Sequence, residues 1–202
     1  MVCRRCPLLH QKVQMNLSQL LCFIYILGLT SAKTYPPPCV MGDESIMRKK
    51  AHGTSETPVQ EKLKWGVDRK IADRICNFNR HYAENWGYWR ESSTFISDVS
   101  KRVKEGKDSM TFYDSNTGKP LFIAPKGRSF EDFVSESTSH GWPSFRDDEV
   151  VWENVRCLKD GETVSVDGTH LGHNLPDRKG SRYCINLVSI AGYPSNGVKD
   201  EV

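Results

Sequence analysis

Residues 181–189 read Ser-Arg-Tyr-Cys-Ile-Asn-Leu-Val-Ser, and on an extended chain this stretch separates into two faces. Side chains two apart point to the same side of a strand. Arg182, Cys184 and Asn186 therefore form one polar row, with Tyr183, Ile185 and Leu187 as the apolar face behind it. The run from Cys184 to Ile190 is rich in β-branched residues and suits a buried strand. A guanidinium beside a thiol favours the thiolate, the nucleophilic form of cysteine. The polar row marks a site on a strand that otherwise belongs to a core. An inert cysteine packed in a sheet is the competing reading, and the commoner fate of that residue.

Upstream of this strand, the chain from Met110 onward reads mainly as strands. MTFYD (110–114) and KPLFI (119–123) flank the turn SNTG and predict a hairpin. EVVWENVR (149–156) is strand-like, and a short helix is expected after Ser129, burying Phe130, Phe133 and Val134. Residues 57–109 read as a helical extension. Thr57, Pro58 and Gln60 make a capping signature, and Val59, Leu63, Val67, Ile71 and Ile75 recur every four residues. A second helix is expected over Ser93 to Glu105, aligned on Phe95, Val99 and Val103 and stopped by Gly106. Residues 33–56, with three prolines at 36–38, read as a flexible linker. No internal repeat is present.

The chain has 202 residues, 26% charged and 38% hydrophobic, as expected for one soluble domain with appendages. Residues 1–32 carry Arg4, Arg5 and Lys12 and no acid, followed by the uncharged run Leu20 to Leu29 and then Thr30-Ser31-Ala32. This is the pattern of a secretory signal peptide cleaved after Ala32. The run is shorter than the roughly 20 apolar residues a stable membrane span needs. Removing the three leader cations leaves Lys plus Arg equal to the 25 acids. A near-neutral mature chain has no basic stripe for a phosphate backbone, so nucleic acid is discounted as a partner. The last residues, KDEV in a tail over 195–202, are one residue from an ER retrieval signal. Together the ends point to the secretory pathway, either the ER lumen or the exterior.

Two further segments carry chemistry: SHGWPSF (139–145) and THLGHNLPD (169–177). His170 and His173 are candidates for proton transfer near neutral pH. Nothing nearby completes a metal site around them. Asp177 could orient a ring or balance charge, and it could equally be a turn acid. Trp142 precedes Pro143, which restricts its backbone. Its indole could wall a site for a methyl group or simply pack in the core.

In this order, GWPSF from Gly141, HLGH from His170 and RYCIN from Arg182 resemble the B-type methionine-(R)-sulfoxide reductases. TGKPLF (117–122) is similar to an early strand of that family, and the resemblance covers roughly residues 110–192. It implies a mainly β fold: two small antiparallel sheets forming the catalytic domain over 110–194, with the α-helices in the N-terminal extension. It implies that Cys184 attacks the sulfoxide sulfur and becomes a sulfenic acid. His170 and His173 would protonate the sulfoxide oxygen with help from Asn186. Trp142, Arg182 and Asp177 would bind substrate or hold the thiolate. An oxidised protein or peptide is the implied substrate. No bound cofactor is implied, only an external thioredoxin-like dithiol.

Two departures from the family matter. Many members hold zinc through two CxxC pairs, and beyond residue 32 this chain has none, so it resembles the zinc-free branch. His140 stands where a resolving cysteine often precedes GWPSF. Cys157 is the best substitute, with Cys76 and Cys39 as alternatives, and direct reduction by an outside thiol is also open. The segment ICNFNRHYAENWGYW (75–89) matches nothing in the family pattern; its aromatics could cover the active site or simply pack on the sheets. A non-catalytic binding module on the same fold is the alternative function.

Overall fold

The structure is a computed structural model that describes residues 35–195. The expected signal segment over 1–32 and the KDEV end lie outside the described residues.

The hairpin forms as the turn chemistry requires. β1 (Met110–Tyr113) pairs antiparallel with β2 (Pro120–Ala124). The second sheet has five antiparallel strands: β3 (Ser144–Phe145), β4 (Val155–Cys157), β5 (Glu162–Ser165), β6 (His170–Asn174) and β7 (Tyr183–Ile185). Their spatial order is β3-β7-β6-β5-β4, which leaves β7 flanked on both sides and β4 at an edge.

The helices are interspersed with these strands. α1 spans Arg69–Asn77, α2 Tyr88–Glu91 and α3 Phe95–Lys104, while α4 (Phe130–His140) lies between β2 and β3. The protein is therefore a mixed α/β domain with two antiparallel sheets, not the mainly β domain with a helical N-terminal extension expected from sequence. The physical reason is a shared core. Trp89 and Phe95 from the N-terminal helices pack with Phe112 of β1, Phe133 of α4 and Phe145 of β3 in one buried cluster. Phe122 stacks on Phe145 with ring centroids 4.2 Å apart. Each such ring contributes on the order of 1.5–3 kcal/mol by leaving water. The helices cannot be an appendage when Trp89 and Phe95 are part of that cluster.

Several boundaries move for identifiable reasons. The helix expected from Thr57 begins at Arg69, where the Asp68 carboxylate accepts the N–H groups of Lys70 and Ile71. Before it, Trp65 adopts a left-handed φ of 57°, which interrupts the run. Gln60 spends its backbone N–H on Ser115 instead of on a helix. Val59, Val67 and Ile75 are still buried, but Ile71 is 38% exposed. α3 matches the expected helix, with Gly106 beyond its end at φ 70° and Val103 turned outward. α4 begins after Ser129 as expected, where Ser129 and Asp132 form a reciprocal capping box, and it runs on to His140. Of residues 149–156, only Val155 and Arg156 lie in a strand; Asp147–Glu149 form a 3-10 turn and Val150 makes an isolated antiparallel bridge to Phe122.

Residues 35–56, expected as a linker, are seated on the domain. Met41 bridges Cys157 in parallel, and Glu44–Met47 form a 3-10 turn capped by Asp43. The Lys50 ammonium donates to the carbonyls of Ile46 and Thr54.

Candidate active site

β7 presents the two faces its sequence implied. Tyr183, Ile185 and Leu187 are fully buried, whereas Cys184 is half-buried and opens on a cavity of about 260 Å³. Trp142, His170, Gly172, His173, Leu175 and Asn186 line that cavity with it, and His81, Tyr82 and Ala83 close its other side. Three separated sequence segments thus converge on one thiol.

The histidines reach it through a bulge. Residues three apart on a regular strand face opposite ways. In β6, Gly172 pairs with Thr163 and His170 with Val164, so Leu171 is an extra residue. The insertion resets the alternation. Leu171 is buried, and the rings of His170 and His173 come within 5.8 Å of each other. Gly172 is required here by close approach: a Cβ on it would lie 2.1 Å from the Cys184 carbonyl oxygen.

His170 is oriented by a carboxylate. Its Nδ1 lies 2.7 Å from Oε1 of Glu162 on β5, and both side chains are buried. Arg80 binds the same carboxylate through Nε and Nη2, and its Nη1 is paired with Glu44 at 2.6 Å. Burial opposes ionisation of Glu162, but hydrogen bonds from His170 and Arg80 outweigh it and hold the carboxyl below its ordinary range. An ionised Glu162 accepts the Nδ1–H, which leaves Nε2 as the remaining polar atom of His170. Burial and the neighbouring His170 push His173 below its usual pKa, so this ring is neutral near pH 7.

Burial raises the pKa of the Cys184 thiol. Arg182 pulls the other way, and Glu84 adds to the rise. Arg182 thus favours the thiolate as expected from sequence, but burial outweighs it. Arg182 is itself buried, and its Nε and Nη1 have no hydrogen-bond partner among the described residues. Asp177 sits 3.6 Å from its Nε, an ion pair beyond hydrogen-bond range. Asp177 does not line the thiol cavity. It faces a neighbouring cleft, where a bidentate contact from Arg146 holds its carboxyl at about 2. Asp177 thus reaches the site only through Arg182.

The wall opposite the strands is the part that sequence reading left unplaced. Glu84 is buried, and its carboxylate accepts the N–H groups of Leu187 and Val188 at 2.9 and 3.0 Å. Its backbone N–H donates to Asn186 Oδ1, and its carbonyl accepts from Trp142 Nε1. Asn186 also donates through Nδ2 to the Leu171 carbonyl. The side chain expected to assist chemistry is largely spent on fixing this wall to β6. The same carboxylate explains why β7 stops at Ile185: the next residues, Leu187–Ser189, form a 3-10 turn with two N–H groups on Glu84. Glu162, Arg80, Glu84 and His81 were missed from sequence, while Tyr82 belongs to the segment whose aromatics could cover the site. The one available signal was the density of polar and aromatic residues over 75–89.

Among the described residues, no other cysteine lines the cavity on which Cys184 opens. Cys157 is fully buried on β4, three strands from β7. At about 4.8 Å per strand that is roughly 14 Å, against the 7 Å Cα limit for a disulfide. Cys157 therefore does not resolve Cys184 in this fold. Cys76 is buried on α1 with its thiol against Ser189. Among the described residues, no group of three or more His, Cys, Asp or Glu could hold a metal ion, and no helix is long and apolar enough to cross a membrane.

Over 86 residues the chain is 36% identical to a peptide methionine sulfoxide reductase MsrB of Pseudomonas fluorescens (strain Pf0-1), a stretch covering 41% of this chain and 53% of that protein. The chain spans about half the length of that curated relative. No family model matches the chain. No solved structure matches it either. The protein thus bears a distant, partial similarity to methionine sulfoxide reductases.

Proposed function

We propose that this protein reduces methionine-(R)-sulfoxide in proteins or peptides to methionine, as a zinc-free reductase with Cys184 as the nucleophile. The observation that carries the proposal is the convergence of Cys184, Trp142, His170 and His173 on one cavity of about 260 Å³. That is below the 300–1,000 Å³ of most small-molecule sites and suits a single side chain.

The Cys184 sulfur attacks the sulfoxide sulfur, and the S–O bond breaks as the oxygen moves to cysteine. Methionine leaves and Cys184 becomes a sulfenic acid. Sulfoxide oxygen needs a proton to react, so nucleophile and acid must meet at one sulfur. His170, fixed by Glu162, is positioned to supply it through Nε2. Trp142 offers an apolar wall to the substrate methyl. With Cys157 out of reach, an external dithiol reduces the sulfenic acid directly, giving water, the thiol and an oxidised dithiol. A thioredoxin-like protein in the secretory pathway is the proposed donor.

The raised pKa of the thiol favours a second reading, a module that binds sulfoxides without turning them over. One assay separates the two. The protein and its Cys184→Ser variant are incubated with an R-sulfoxide peptide and dithiothreitol. Methionine formation by the unmutated protein alone is expected. Binding without turnover would favour the second reading, and turnover by Cys184→Ser would remove the nucleophile from the scheme.

A further inference from the structure

We propose that Cys39 and Cys157 are a disulfide site, which when closed fastens the strap of residues 35–50 to the edge strand β4. The backbone already joins the two segments. The Cys157 N–H donates to the Val40 carbonyl at 3.0 Å, the Gly42 N–H donates to the Cys157 carbonyl at 2.8 Å, and Met41 is the residue bridged to Cys157. Cys39 lies two residues before Met41, directly before Val40 whose carbonyl holds the Cys157 N–H, and its thiol is a close neighbour of that of Cys157. Both are unpaired thiols in the same buried core. Cys76 has Ser189 as its partner, and Cys184 opens on the cavity, so neither competes for this contact.

The pair answers a need of the fold. β4 would otherwise present an unpaired edge, and the strap covers it. The strap also carries Glu44, the outer partner of Arg80. A bond here closes a loop of more than one hundred residues, for which the loss of unfolded-state freedom is large.

The chemistry balances with a small disulfide such as oxidised glutathione as oxidant. The Cys39 thiolate attacks one glutathione sulfur and releases a glutathione thiol. The Cys157 thiolate then attacks the Cys39 sulfur and releases the second. Two protein thiols are oxidised and one glutathione disulfide is reduced. Cys39 is the entry point, being slightly exposed where Cys157 is not. Cys39 also touches Tyr183, on the face of β7 opposite Cys184, so closure leaves the cavity unchanged.

The folded full chain is treated with oxidised glutathione, acid-quenched, denatured, alkylated, digested without reductant and mapped by mass spectrometry. A linked Cys39–Cys157 peptide with Cys184 recovered alkylated is expected. The thermal midpoint should rise by about 4–16 °C over the reduced protein, a gain absent in Cys39→Ser. Linkage of Cys157 to Cys184 or Cys76, linkage of Cys39 to Cys3, Cys6 or Cys22, or recovery of both thiols alkylated would overturn the proposal. A bond without a rise in midpoint would overturn its fastening role. None of these outcomes depends on sulfoxide turnover.

Discussion

The two walls of the cavity are built from different material. One wall is sheet: Cys184 on β7, His170 and His173 on β6, with Glu162 on β5 behind them. The other is the irregular stretch from Arg80 to Glu84, held by Asn186, Trp142 and the Leu187–Ser189 turn. The sheet wall carries the groups that can react. The other carries groups that hold the reactive ones in place. A strand fixes side-chain direction through its ladder, so reactive atoms on it need little further support. The Arg80–Glu84 wall keeps its shape by inserting a carboxylate and main-chain polar groups into the sheet's unsatisfied N–H and side-chain positions.

This division ranks the substitutions. Cys184→Ser removes the proposed nucleophile and is expected to lower kcat/KM for an R-sulfoxide peptide by roughly 10³-fold or more, with the fold intact by circular dichroism. Glu162→Gln keeps the shape but removes the charge that orients His170. It should lower kcat by about 10²-fold with KM little changed, measured by methionine release. Arg80→Met acts one step further out, because Glu162 keeps His170 when Arg80 is gone. A loss of about 10-fold or less is expected in the same assay. If Arg80→Met costs as much as Glu162→Gln, the two walls are not separable, and the Arg80 segment belongs to the reacting groups.

The same division explains how much was legible in the sequence. The alternation of Arg182, Cys184 and Asn186 against Tyr183, Ile185 and Leu187 is a local property with period two; it carried through to Cys184 and Asn186, which line the cavity, but not to Arg182, which is buried away from it. The hairpin of β1 and β2 and the helix around Phe95 and Val99 are local in the same sense. The helix placed from Thr57 failed because its apolar spacing was real while its hydrogen bonds went elsewhere. Gln60 pairs with Ser115, a partner 55 positions away that no window contains. The fold class failed for a related reason. Helices before residue 110 were visible, but not that Trp89 and Phe95 share a core with Phe145. In the site, Glu162 lay in a stretch without pattern, and the bulge at Leu171 was hidden because a histidine spacing of three reads as opposite faces on a strand. Cys157 was preferred over Cys76 and Cys39 as a resolving residue from its place in the chain, which does not reveal the width of the sheet between it and Cys184.

The smallest expected effect concerns Glu84, and it tests whether the Arg80–Glu84 wall is structural. Burial pushes its carboxyl up to about 8, with the Val188 and Leu187 N–H groups pulling the other way. An acid with a raised native pKa binds its proton more tightly in the folded state than in the unfolded chain, where the value is about 4.3. Between those two values the native state holds more protons, so stability falls as pH rises. The slope from this one group is at most about 1.4 kcal/mol per pH unit. Thermal midpoints of the unmutated protein should therefore decline from pH 5 to pH 8 more steeply than those of Glu84→Gln. The variant loses one acceptor for the Leu187 and Val188 N–H groups, so it should also be less stable at pH 5. Parallel pH profiles for the two proteins would mean that Glu84 is ionised throughout. It would then stand as a fixed negative charge behind Cys184 across the whole range from pH 5 to pH 8, and its opposition to the thiolate would not wait for its own ionisation.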